Sequence, residues 1–197
     1  MSPDLSRRAM TDSGELDLRP LPPGVEVLLT DVRAAPRLVA HLRAVHDVAC
    51  QLTEWIRRHH PGVAFDRAAV EFGAAVHDIG KVEHLDELSG PGSAHEHAGY
   101  ELLLARGVEE PLARFARTHA SWTAAGVGVE DLLVSLADKV WKAKRVPELE
   151  HLITEHLATA NGQPTWEVFM SLDDELDRIA ADADRRLAFQ ASFPITP

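Results

Sequence analysis

Apolar residues recur along this chain at intervals of three and four, and no segment carries the period of two expected of a half-buried strand. From Pro36 to about His60, Leu38, Leu42, Val45, Ala49, Leu52 and Ile56 make one stripe of a long amphipathic helix, with Pro36 suited to its first position. Asp66 is a good N-cap for a second helix reaching Ile79, where Gly80 can take the left-handed conformation that ends a helix. Glu83 to Gly92 predicts a loop, closed by Gly90, Pro91 and Gly92. Ser93 and Glu96 then form a capping box for a helix ending at Gly107. Pro111 opens another through about His119, and the Ala- and Gly-rich connection from Trp122 to Gly128 leads into a helix from about Val129 to Arg145. Two more, about Pro147 to Ala160 and Thr165 to Phe189, are parted by Asn161, Gly162 and Pro164. Without a strand pattern or an internal repeat, the expected fold is all-α: one helical bundle over residues 24–197 with short connections.

Composition narrows the class. A chain of 197 residues suits one domain with a sizeable core. With 45% hydrophobic and 26% charged residues and no long apolar run, a membrane-spanning protein is not expected. The first 23 residues have no apolar period and no secretory hydrophobic core; they read as a mobile arm, and the protein as cytoplasmic. The lone Cys50 excludes an internal disulfide, fits a reducing compartment and reads as a small core residue. Twenty Lys and Arg against 31 Asp and Glu give a net charge of -11, which argues against a nucleic-acid polymer as partner, and with no spanning run no membrane partner is expected either. A small anionic substrate in a local positive pocket remains compatible with that charge. The 11 histidines stand out, because a cysteine-poor chain that binds metal must do so through imidazoles and carboxylates.

Some of these histidines lie where an apolar residue would be expected. His41 sits among Leu38, Val45 and Leu52, where a buried imidazole needs a hydrogen bond or a metal. His46 lies at the opposite margin of the stripe, and helical geometry does not choose between the two. His77 shares a face with Val70 and Gly73 and has Asp78 beside it. Asp138 interrupts Leu132, Leu133, Val134, Leu136, Val140 and Trp141, and a carboxylate in such a run is rarely buried without a cation. His95 falls in the first turn of its helix, with Gly99 one turn later offering close approach, and His119 closes the helix marked by Leu112 and Phe115.

Taken in order, His41, His77-Asp78, His95, His119 and Asp138 resemble the HD-domain superfamily of metal-dependent phosphohydrolases. The likeness spans about residues 36 to 145 and rests on His77-Asp78-Ile79-Gly80-Lys81, on His41, Val45, Ala49 and Leu52, and on Leu136-Ala137-Asp138-Lys139. It favours His41 over His46, and His95, with Gly99 four residues on, over His97. The helices at about 147–190 carry no motif of the family. The resemblance implies one divalent ion held by His41, His77, Asp78 and Asp138. A subset of the superfamily binds a second ion through two further histidines, and His95 and His119 fall where those would be. Asp78 would then bridge the pair.

Imidazole and oxygen donors suit Mn, Fe, Co, Ni, Mg or Zn, and metal-activated hydroxide would attack phosphorus in a small phosphate ester, a nucleotide or related metabolite. Asp78 and Lys81 are then the catalytic candidates. Lys81 and Lys142 are the candidates for holding a substrate phosphate, Lys142 because it follows Asp138 by four residues on one helix face. Relatives with the same ligand order use two irons as oxygenases, so an oxidative alternative stands beside the hydrolytic one. A cyclic-nucleotide phosphodiesterase is a second alternative. For cyclic dinucleotides the chain departs from the relevant subgroup, having Ala120 in place of a second histidine and lacking its Gly-Tyr-Pro signature. A non-catalytic binding module is the third class. Trp55, Trp141 and Trp166 read as core and Trp122 as a pocket residue. The other histidines (His59, His60, His84, His97, His151 and His156), the acidic run Asp173, Asp174, Glu175 and Asp177, and Lys144 and Arg145 read as solvated.

Overall fold

The computed structural model describes residues 3–12, 14 and 16–196, and among these it contains helices and no strand. In chain order the helices are α1 (Pro3–Thr11), α2 (Pro23–Asp31), α3 (Pro36–His59), α4 (Arg67–Val76), α5 (Ala94–Ala105), α6 (Glu110–Ala113), α7 (Phe115–Thr118), α8 (Val129–Val140), α9 (Pro147–Asn161), α10 (Thr165–Ala180) and α11 (Ala183–Ala191). Two 3₁₀ turns, Ile79–Val82 and Leu85–Leu88, lie between α4 and α5. The all-α expectation holds.

α3 is the axis of the bundle. Its predicted stripe is buried, and so is the polar face opposite, including Arg43 and Asp47. The N-terminal segment covers that face, which corrects the reading of residues 1–23 as a mobile arm over their described part. Arg43 donates to the carbonyls of Ala9, Asp12, Leu18 and Arg19 at 2.7–3.3 Å, and the Arg19 amide donates to Asp47. Ala9, Met10, Leu18 and Leu21 are buried, but they are too sparse to print a period in the sequence.

Two apolar clusters flank α3. One joins it to α4, α8, α9 and α10 through residues such as Leu52, Val70, Leu133, Ile153 and Leu172. The other joins α1, α2 and the start of α3 to Ile79, Leu103 and Ala116. Asp66 caps α4, accepting from the Ala69 amide at 3.0 Å, as its position implied. The helix stops at Val76, three residues before the expected end, and Gly80 is absent from the left-handed positions. Gly80 serves close approach instead. A Cβ there would lie 2.0 Å from the His95 carbonyl oxygen and 2.4 Å from the Gly99 nitrogen, so this turn and α5 touch backbone to backbone, as Gly99 implied.

The other departures also have physical causes. The helix expected over Thr165 to Phe189 breaks after Ala180, and Arg186 beyond the break donates back to the Ile179 and Trp141 carbonyls. Trp166, read as core, is 67% exposed, because α10 buries Val168, Leu172, Leu176 and Ile179 on its other face. His60, read as solvated, is buried against Trp55 and Gln163. Arg145 is tied to Glu150, Asp173 and Asp177, and Glu175 is buried on Arg178, so neither Arg145 nor the whole acidic run is simply solvated.

Candidate metal centre

Six side chains from five segments meet inside the bundle, none more than 8% exposed: His41 of α3, His77 and Asp78 after α4, His95 of α5, His119 after α7 and Asp138 of α8. Asp131 steadies the last two segments by accepting from Thr118 Oγ1 at 2.7 Å, from the Arg114 guanidinium and from the Gly128 amide. His77 Nε2 lies 3.4 Å from His41 Nε2 and 3.5 Å from Asp138 Oδ1. Asp78 faces two ways. Its Oδ2 is 3.0 Å from His41 Nε2, while its Oδ1 is 3.0 Å from His95 Nε2 and 3.5 Å from His119 Nε2. The donor atoms fall into two groups, His41 with His77 and Asp138, and Asp78 with His95 and His119, each spanning no more than 4.8 Å.

The imidazoles are oriented from behind. His77 Nδ1 donates to the Ala74 carbonyl at 2.9 Å and His119 Nδ1 to the Ala116 carbonyl at 3.0 Å. A carbonyl oxygen only accepts, so these rings carry their proton on Nδ1 and turn a lone pair inward through Nε2. His95 Nδ1 is held by Glu87, a residue that sequence reasoning missed. Glu87 also accepts from the Ala94 and His95 amides at 3.1 and 3.2 Å, so it caps α5 in place of Ser93, whose side chain makes no cap bond. No periodicity links position 87 to 95 across a loop. The only signal was an acidic residue one short loop before a helix start.

His95 Nε2 is buried and makes no hydrogen bond, although a carboxylate oxygen stands 3.0 Å away. Two lone pairs so placed require a cation between them. Without metal the cation is a proton: burial pulls the His95 pKa down, but Asp78 and Glu87 outweigh it and hold it above the ordinary value. A divalent ion satisfies the same atoms. The donor set therefore fits metal.

Burial lowers His41, and it takes His119 down to about 4, with His77 adding to the effect. Burial opposes charge on Asp78 and Asp138 as well, but His77 and its neighbours hold Asp78 well below the usual carboxylate range, and His77 with Lys139 does the same for Asp138. The sign for stability follows. His41 and His119 have folded values below the unfolded value near 6.5, so their contribution is present above that pH and is lost as pH falls through their lowered values, about 4 for His119. The two carboxylates act in the same direction at lower pH, while His95 contributes below about 6.5 and fades above its raised value. In chelator, Tm is expected to drop steeply from pH 6.5 to 4; a flat Tm there would contradict this balance.

Two lysines close the site. Lys81 Nζ is 2.5 Å from Asp78 Oδ2 and Lys139 Nζ is 2.6 Å from Asp138 Oδ2. Lys142 does not join them. α8 ends at Val140, so the four-residue spacing from Asp138 no longer maps onto one face, and the exposed Lys142 ammonium lies 5.8 Å from the Trp141 ring centre. The ammonium beside Asp138 is not that of Lys142 but that of its neighbour in the chain, Lys139. Trp122 stands by it, 5.8 Å from Lys139 Nζ, with its indole donating to Glu148 at 3.3 Å. His46 turns away to the Glu71 carbonyl and Cys50, and burial pushes the Cys50 thiol up to about 12.

A family model described as HD domain matches residues 38–188, most of the chain. The chain belongs to the HD-domain family. HD domains bind divalent metals, and the superfamily is generally one of metal-dependent hydrolases. The HD match extends past the sequence likeness into α9, α10 and α11, the helices that carried no motif. Comparison with curated proteins and with solved structures returns no significant match. No helix among the described residues is long and apolar enough to cross a membrane.

Proposed function

We propose that this HD domain holds two divalent ions, one through His41, His77 and Asp138 and one through His95 and His119, with Asp78 shared, and hydrolyses a small phosphate ester such as a nucleotide. The observation that supports this most directly is Asp78, which offers one oxygen to His41 and the other to His95 and His119. Bound there, the ions would supply the Lewis acidity that activates water and neutralises charge on phosphoryl oxygens. The chain does the rest. Carbonyls and Glu87 fix three imidazoles in the metal-binding tautomer, so little reorganisation accompanies loading. Asp78, Asp138 and Glu87 bring three negative charges against the two of Lys81 and Lys139, so two divalent ions leave a net positive site that attracts an anionic substrate. Lys81 and Lys139, which hold Asp78 and Asp138, would become donors for a phosphate oxygen wherever bound metal took over those carboxylates.

The test is elemental analysis of protein purified without air, joined to a phosphatase and phosphodiesterase panel run with Mn, Fe, Co, Ni, Mg and Zn. About two ions per chain and metal-dependent phosphate release are expected. Two irons with oxygen uptake and no phosphate release would replace this reading with an oxygenase. Glu87→Gln keeps the shape but weakens the grip on His95, and metal affinity should fall about 10- to 100-fold in a titration. Unchanged affinity would remove Glu87 from the site's support.

A further inference from the structure

The HD centre leaves one face of α10 unexplained. Trp166, Phe169 and Met170 are 67%, 46% and 53% exposed, and their spacing of three and four places them on one ridge of the helix. The same spacing continues the ridge into Asp173, Asp174 and Asp177. A Trp-Phe-Met patch is the composition of a binding hot spot rather than of a solvated surface. The helix itself is acidic: α10 carries Glu167, Asp173, Asp174, Glu175 and Asp177 against a single arginine, Arg178, which the buried Glu175 already holds. Arg145 neutralises one charge among Glu150, Asp173 and Asp177, whereas Glu167 and Asp174 make no ion pair among the described residues.

Charge selects the occupant. An anionic membrane or a nucleic acid would be repelled. A second copy packed about a two-fold axis would set the acidic half of the ridge against Thr165, Trp166 and Glu167 of its partner, which offer no cation. What complements both halves is an apolar side chain row with lysines or arginines beside it. We propose that the α10 ridge docks a cationic amphipathic helix of a partner protein, whose apolar face covers Trp166, Phe169 and Met170 and whose basic flank meets Asp174 and Asp177. The docking face is separate from the metal site and does not depend on the reaction assigned to it.

A fluorescein-labelled synthetic helix of leucine and lysine, with leucines at helical spacing, serves as probe on the full chain. Its affinity should fall at least about tenfold in Trp166→Ser/Phe169→Ser and several-fold in Asp174→Lys, and it should weaken with added salt. All three positions are exposed, so Tm and metal content should stay at wild-type values and Asp174→Lys provides an independent check on folding. Equal binding by wild type and both variants, equal binding of a probe with scattered leucines, or no binding would overturn the proposal. So would Trp166-dependent binding to phosphatidylglycerol vesicles, or a dimer in sedimentation that Trp166→Ser/Phe169→Ser abolishes.

Discussion

Asp78→Asn is expected to lower metal-dependent turnover by about three orders of magnitude or more, equivalent to roughly 4 kcal/mol of transition-state stabilisation. Asparagine keeps the volume of the side chain but has only one carbonyl oxygen and no charge, so it cannot serve both groups of donors at once. In the present arrangement Asp78 contacts His41, His95, His119 and Lys81, more of the site than any other ligand. Both ions should bind less tightly, whereas His95→Ala should spare the group formed by His41, His77 and Asp138. Initial rates and metal content measured on the same samples separate the two variants. Full metal content with near-normal turnover in Asp78→Asn would remove the bridging role.

A second large effect is expected where no ligand is touched. Gly80→Ala should destabilise the protein by about 3 kcal/mol, a Tm loss of roughly 10 °C, and cost metal binding as well. The new Cβ would meet backbone atoms of His95 and Gly99 at 2.0 and 2.4 Å, and a helix backbone does not yield as the end of a side chain does. Relief requires the Ile79–Val82 turn and α5 to part, which separates Asp78 from His95. Gly24→Ala is the control, since nothing lies within 4 Å of its Cβ. It should be neutral or mildly stabilising. A Gly80→Ala protein with wild-type Tm and metal content would mean that the crossing has slack.

His41 and Asp138 were conspicuous in the sequence as polar residues in apolar helical runs, whereas His77, Asp78, His95 and His119 became candidates only because the order of all six resembles a known pattern. The structure brings those six together. Residues joined by geometry without periodicity were not legible. Glu87 reaches His95 across a turn, and Lys139 meets Asp138, its own neighbour, close to a helix end that the sequence placed five residues too late. Gly80 was noticed for the wrong reason: sequence reveals that a side chain is missing, while only the packed chain reveals what would have struck it. Trp166 illustrates the opposite limit. Helical spacing shows which residues share a face but not whether that face has a partner, and α10 has apolar residues on two faces.

The clasp between Arg43 and the N-terminal segment bears on where this protein can be cut. The family match starts at residue 38, inside α3. A chain trimmed to that boundary would lose the four carbonyls that solvate the Arg43 guanidinium and the amide that faces Asp47, on the helix that also carries His41. Family likeness and independent folding therefore have different borders here, and the shorter one would strip the insulation from two charges built into the central helix.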